Sequence, residues 1–302
     1  MRLGGQVTRY VGDITHRTEE STLKHIEACA RICYRSEASK DTVGRNRFLH
    51  ALNRKGHGSL FEHSQITVSL SSFFADQFIE YLFDSGMYRF FDMNYINRGN
   101  FIGGNLRCWL RAYADLGNIE LLGAVKSALP EFLKEWDVEE VPSALLRPEE
   151  VPTNIHRFAA YAEVDRGVLG EFTRHDFGFS VESSRYCNYS KDKYSNEIDI
   201  IDQGTIGFFP KKGDHNEEAA RMIWKEACQQ SETSYLAMVQ VAPPEIARQV
   251  LNMSLRTRMY ISGIPLYWLN FFAMRMPSTA QPNIRVIAAP LHAIMYSDMA
   301  SS

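Results

Sequence analysis

The segment Arg174-His175-Asp176-Phe177-Gly178-Phe179-Ser180-Val181-Glu182-Ser183-Ser184-Arg185-Tyr186 gathers two arginines, one histidine and three serines within thirteen residues. Guanidinium groups grip phosphate through forked, charge-assisted hydrogen bonds, and serine hydroxyls add neutral ones. Such a cluster suits a mononucleotide. A solvated loop with Arg174 paired to Glu171 or Glu182 accounts for the same composition, so this segment alone leaves both readings open.

On either side, helical and extended patterns follow one another. Leu23, Ile26, Ala30 and Cys33 recur at helical spacing, which predicts a helix over 19–35. A second helix over 41–54 opens on a capping Asp41 and is punctuated by Gly56 and Gly58. Residues 65–70 alternate like a strand, 73–83 read as a helix, 87–97 as an aromatic, extended stretch and 105–116 as a helix. Downstream, 159–164 read as a short strand and 166–174 as a short helix; 217–241 form a long amphipathic helix. Pro243 and Pro244 start another helix, 255–261 is a strand, and 265–276 and 281–295 are the last helices. Residues 117–152 differ: Pro130, Pro142, Pro148, Pro152 and several acids mark an inserted, partly helical excursion within one domain spanning 1–302. The pattern is α+β. Without a βαβ alternation or a GxGxxG loop, a Rossmann-type dinucleotide site is not expected.

Bulk properties narrow the partners. The chain has 302 residues, of which 45% are hydrophobic and 23% charged, with a net charge of −3. That charge argues against a nucleic-acid partner, though a few local arginines suffice for a nucleotide. No apolar run approaches the roughly 18 residues of a membrane span. The first ten residues carry Arg2 and Arg9 and lack the apolar stretch of a secretory signal. The five cysteines (Cys29, Cys33, Cys108, Cys187 and Cys228) form no CxxC pair, which points to free thiols in a reducing cytoplasm.

Two more segments could carry chemistry. His57-Gly58-Ser59-Leu60-Phe61-Glu62-His63 lacks the HExxH spacing and a familiar third ligand, so no metal site is expected. Its Glu62 could equally be a buried, satisfied partner of a histidine, and its glycines would let a ligand approach the backbone. The other runs from Ala247-Arg248 through Thr257-Arg258 to Trp268-Leu269-Asn270-Phe271-Phe272-Ala273-Met274-Arg275. Arg275 follows Phe271 by four positions and shares its face, so a flat heterocycle could meet a cation there. A core helix ending in arginine, which suits the helix dipole, reads equally well.

Together these segments resemble the flavin-dependent thymidylate synthase family. Arg174-His175 and Ser183-Ser184-Arg185-Tyr186 match its Arg-His-Arg…Ser signature, and the run on to Lys193 is similar to one branch of the family. His57 to Glu62, Gly104-Asn105-Leu106-Arg107, Arg248-x-x-Leu251, Thr257, Asn270-Phe271, Arg275 and Gln281 fall in the family's order. The resemblance implies an α+β fold with a mixed or antiparallel sheet and helices, assembled as a homotetramer. It implies methylation of dUMP to dTMP on FAD, with 5,10-methylenetetrahydrofolate and NADPH as co-substrates and no cysteine nucleophile. By position Arg275 would be the catalytic arginine. Glu171, Arg174, Ser183, Ser184, Arg185, Arg248 and Arg275 would bind dUMP. His57, Ser59, Glu62, Arg174, His175, Asp176 and Asn270 would bind FAD.

The resemblance has gaps. Asp176 stands where the signature has its second arginine, and six residues rather than seven separate it from Ser183. Gly263-Ile264-Pro265-Leu266 replaces a Gly-Asn-x-Arg segment, and Thr279 stands where many members have histidine. The resemblance therefore implies an active synthase with an altered flavin cradle. The alternatives are a diverged enzyme acting on another pyrimidine nucleotide and a nucleotide-binding protein without redox chemistry.

Overall fold

Four strands form the central antiparallel sheet, in the order β2-β6-β9-β7. They are β2 (Val7–Asp13), β6 (Phe158–Asp165), β7 (Gly178–Val181) and β9 (Arg256–Gly263). The computed structural model describes residues 1–15, 18–70, 72–87, 91–96, 99–117, 120–147, 150–202 and 217–301. In the sheet Phe158 pairs with Gly263 and Asp165 with Arg256, so β6 and β9 run the full length of each other. A second antiparallel sheet, β3-β5-β4, joins β3 (Ile66–Leu70), β4 (Phe91–Ile96) and β5 (Gly99–Gly104). The strand β1 (Arg2–Gly4) pairs in parallel with β8 (Asp199–Ile201).

Ten helices complete the described chain: α1 (Glu19–Tyr34), α2 (Thr42–Arg54), α3 (Ser72–Asp84), α4 (Leu106–Leu116), α5 (Glu120–Ala128), α6 (Arg166–Phe172), α7 (Glu217–Met238), α8 (Pro244–Ala247), α9 (Pro265–Arg275) and α10 (Pro282–Ser301). Their ends obey local chemistry. Thr18 caps α1 at Ser21 N, Asp41 caps α2 at Gly44 N and Asn105 caps α4 at Cys108 N. Pro265 occupies the first turn of α9, where its missing N–H costs nothing.

Among the described residues, the three largest cores hold most of the elements. The first packs Leu23, Ile26, Phe61, Val68, Ile102 and Trp109 together. The second lies between the central sheet and the helices α6, α9 and α10, around Phe158, Phe172, Met259, Trp268 and Phe271. The third joins Cys187, Tyr194 and Ile198 to Cys228, Tyr235 and Leu255.

Several expectations change here. Within 117–152, residues Leu121, Leu122, Val125, Leu129, Phe132 and Trp136 belong to the first core. The signature segment is a strand at its centre, β7, whose pairing to β9 no local pattern announces. The strands β1, β2, β5 and β8 were equally silent. Of the extended stretch 87–97, residues 91–96 are a strand; 88–90 and 97 lie outside the described residues. The expected thiols are present, since none of the five cysteines is in a disulfide. No helix among the described residues is long and apolar enough to cross a membrane.

Candidate active site

The end of α6 and the turn that follows it converge on Arg275. The helix α6 runs into the turn 173–177, which places Glu171, Arg174, His175 and Asp176 together. Arg275, the last residue of α9, meets them from the other side of the second core. It is 8% exposed. Its Nε donates to His175 Nε2 at 2.9 Å, and its Nη1 bonds Glu171 Oε2. The same carboxylate takes Arg174 Nη1 at 3.2 Å, so Glu171 bridges two arginines. Burial, then the Arg275 charge, lowers the His175 pKa. A neutral ring is what the geometry needs, because Nε2 must offer its lone pair to Arg275. His175 Nδ1 is then the protonated nitrogen, and it has no hydrogen-bond partner among the described residues.

This group borders a cleft of about 630 Å³, lined by Glu62, Asn105, Arg157, His175 and Asp176 and by the rings of Phe177, Phe179 and Tyr267. Glu62 forms an ion pair with Arg107. That pairing corrects the expectation of a Glu62–histidine pair. Arg157 is buried and bonds Gln65 Oε1 at 3.2 Å through its Nε. Asp176 is exposed and faces the cleft beside Glu62. The cleft thus has aromatic walls and a mixed polar floor.

A second cleft of about 420 Å³ contains Tyr34, Phe48, Lys55, His57 and Tyr186. Tyr34 Oη and His57 Nδ1 lie 2.9 Å apart, and Tyr34 packs against Tyr186 at 5.0 Å between ring centres. Arg185 is exposed and donates to Tyr186 Oη at 3.0 Å.

The expected site residues therefore divide. Glu171, Arg174, His175 and Arg275 form one bonded group, with Asp176 and Glu62 on the adjoining cleft. His57 and Arg185 belong to the second cleft or its rim. Ser183 Oγ accepts from Arg185 N at 3.4 Å, and Ser184 is buried. Ser59 and Asn270 are exposed, and the side chain of neither makes a hydrogen bond among the described residues. Arg248 is exposed at the end of α8, beside the third core, and its side chain makes no hydrogen bond or ion pair among the described residues. Glu182 does not pair with Arg174. It is 1% exposed and holds Arg258 Nη1 at 2.8 Å and Tyr189 Oη at 3.1 Å.

Sequence reasoning gave no role to Arg107, Arg157, Asn105, Tyr34 or Tyr267. Arg107 and Asn105 sat inside a quoted motif and could have been assigned. Arg157, Tyr34 and Tyr267 carry no local signal, since their partners are distant in sequence.

A family model described as thymidylate synthase complementing protein matches residues 14–86 and 148–299. The matched blocks contain Glu62, Glu171, His175, Asp176 and Arg275; Asn105 and Arg107 fall between them. No curated protein matches the sequence. Crystal structures of PolB, a UMP/dUMP methylase from Streptomyces cacaoi, align over 98% of this chain. The one bound with 5-Br dUMP is 13% identical, with 93% of its own chain covered and a TM-score of 0.42. The one bound with 5-Br UMP is 11% identical, with 92% covered and a TM-score of 0.43.

Proposed function

The chain belongs to the thymidylate synthase complementing protein family and is a methyltransferase, and on that footing we propose that it converts dUMP to dTMP as a flavin-dependent synthase. In the reaction the uracil C5–H bond is replaced by C5–CH3. Methylenetetrahydrofolate gives the carbon, NADPH gives the two electrons, and the C5 proton is released.

The observation that carries this reading is the fixed, buried guanidinium of Arg275 between Glu171 and His175. A preorganised cation stabilises negative charge that develops on the N3–O4 edge of a pyrimidine. Glu171 holds Arg275 and Arg174 at once, so the catalytic and the binding cation keep one spacing. His175 stays neutral and orients Arg275 without repelling it.

FAD supplies the redox chemistry of the one-carbon transfer when bound. The cleft fits its ring system: Phe177, Phe179 and Tyr267 offer flat apolar walls, and the buried His175 Nδ1 awaits an acceptor. Arg174, His57, Ser59 and Asn270 would bind the rest of the cofactor, with Glu62 and Asp176 at the cleft.

Arg185 and Arg248, the expected dUMP-binding residues, share no hydrogen bond, ion pair or cleft lining with the Arg275 group among the described residues. Assembly as a homotetramer would bring a neighbour's Arg185 and Arg248 to it and complete the nucleotide site.

A second reading rests on Asp176. A carboxylate accepts hydrogen bonds from sugar hydroxyls but repels phosphate. A cleft bearing Asp176 and Glu62 therefore favours another pyrimidine nucleotide, a ribonucleotide such as UMP, as substrate. The experiment is a paired one: the visible spectrum of the purified protein with and without added FAD, and tritium release from C5-labelled dUMP and UMP with NADPH and methylenetetrahydrofolate. Release from dUMP supports the first reading and release from UMP alone the second. A colourless protein that takes up no FAD and releases no tritium from either would overturn both.

A further inference from the structure

We propose that His25, Cys29 and His63 form a zinc site buried between α1 and the turn that carries Glu62. This site does not depend on the synthase reading.

One ligand atom from each of the three residues lies within 4.8 Å of the others. His25 and Cys29 are four positions apart on α1, so both project from one face of the helix. His25 Nε2 and Cys29 Sγ are 3.7 Å apart. Zinc bonds of about 2.3 Å to sulfur and about 2.0 Å to nitrogen set tetrahedral ligands roughly 3.5 Å apart. The helical pair already has that spacing. His63 closes the remainder with a side-chain shift on the order of 1 Å.

His63 supplies the second, independent observation. It is 1% exposed, and its Nε2 lies 3.0 Å from Ser180 Oγ. Its Nδ1 is buried without a hydrogen-bond partner among the described residues. A buried, unpaired ring nitrogen costs free energy unless something takes its lone pair. A metal ion does so. Ser180 then acts as the outer partner that fixes the ring of a ligating histidine.

One thiolate and two imidazoles form a soft, nitrogen-rich set that suits zinc and disfavours magnesium or calcium. Binding breaks the Cys29 S–H bond, the proton leaves to solvent, and the sulfur pair forms the bond to the ion. Three protein ligands leave a fourth position for water. The site joins α1 to the turn before β3. It would therefore pin the backbone that holds Glu62 on the first cleft and His57 on the second.

The test uses the full chain, dialysed against a chelator and titrated with Co2+ as a spectroscopic stand-in. We expect one equivalent to bind with a thiolate-to-cobalt charge-transfer band, which Zn2+ displaces while raising the melting temperature. The band disappears in Cys29→Ala, and Ser180→Ala weakens Zn2+ binding about 10–100-fold. X-ray absorption of the zinc-loaded wild-type chain requires no variant and reads one sulfur and two imidazole nitrogens. A band that persists in Cys29→Ala, uptake without stoichiometry, or an absorption spectrum without sulfur overturns the proposal.

Discussion

Arg275, Glu171 and Arg174 share one carboxylate between two guanidiniums, and only Arg275 is buried. Truncating it removes the cation proposed to face the reacting edge but leaves Glu171 neutralised by Arg174. Arg275→Ala should therefore fold, hold FAD and lose turnover by about 10²–10³-fold, the cost of deleting one preorganised donor. Circular dichroism, flavin absorbance and tritium release check the three parts. Near-normal turnover would remove Arg275 from the chemistry.

Another residue pair sets a pH window. His156 Nδ1 lies 2.8 Å from Asp13 Oδ2. Burial opposes both charges, but the mutual contact prevails: the His156 pKa is raised from 6.5 and the Asp13 pKa lowered from 3.8. The histidine contribution is complete below pH 6.5 and disappears as pH climbs through its folded pKa. The aspartate contribution is complete above pH 3.8 and fades as acid titrates it through its folded pKa. Asp13→Asn should flatten both slopes in a melting-temperature profile and cost about 1–3 kcal/mol between them. An unchanged profile would assign the pH dependence elsewhere.

Among the elements, α5 shows how packing overrides propensity. Glycine inside a helix usually gains about 1 kcal/mol on replacement by alanine. At Gly123 the new methyl would land on the Glu139 carbonyl oxygen and meet Val141 Cγ2 at 2.9 Å. We expect Gly123→Ala to destabilise the protein by about 1–3 kcal/mol in urea unfolding. A rise in the midpoint would mean that 139–141 moves aside.

That contrast also explains what the sequence could and could not show. Helices announced themselves because caps and periodicity are local: Asp41 and Asn105 bond three residues ahead. The strand β7 is short and pairs with β9 some eighty residues later, so its alternation had no visible partner. Arg174 takes Glu171, one of the two partners the segment offered, whereas the partner of Glu182 was not legible, since Arg258 lies 76 positions away. At the candidate site, the Glu171–Arg174–His175 turn was legible as one segment. Its meeting with Arg275 was not, and came only from the resemblance. The His25–Cys29 spacing was present in α1, but His63 joins it only in the fold.

For the whole molecule, Arg185 and Arg248 share no contact with Arg275 among the described residues, so the proposed chemistry predicts that a neighbouring protomer supplies them. If each site draws on two protomers, Arg185→Ala and Arg275→Ala are each inactive alone. Dissociated and reassembled together, they should recover part of the tritium release, because some sites receive an intact residue from each parent. No recovery despite mixed oligomers would place both arginines in one protomer's site.

The pairing of β2 with β6 has a consequence for synthesis. Asp13 takes Phe158 as its partner, 145 residues on. At roughly 5–20 residues per second, a ribosome needs roughly 7–30 s to deliver that partner. For that interval β2 is a nascent edge with unsatisfied backbone groups, open to chaperone capture or to pairing with a neighbouring polysome's chain. Stalled translation products ending near residue 150 should be cleaved by protease within 7–13, whereas products long enough to expose 158–165 outside the exit tunnel should resist there.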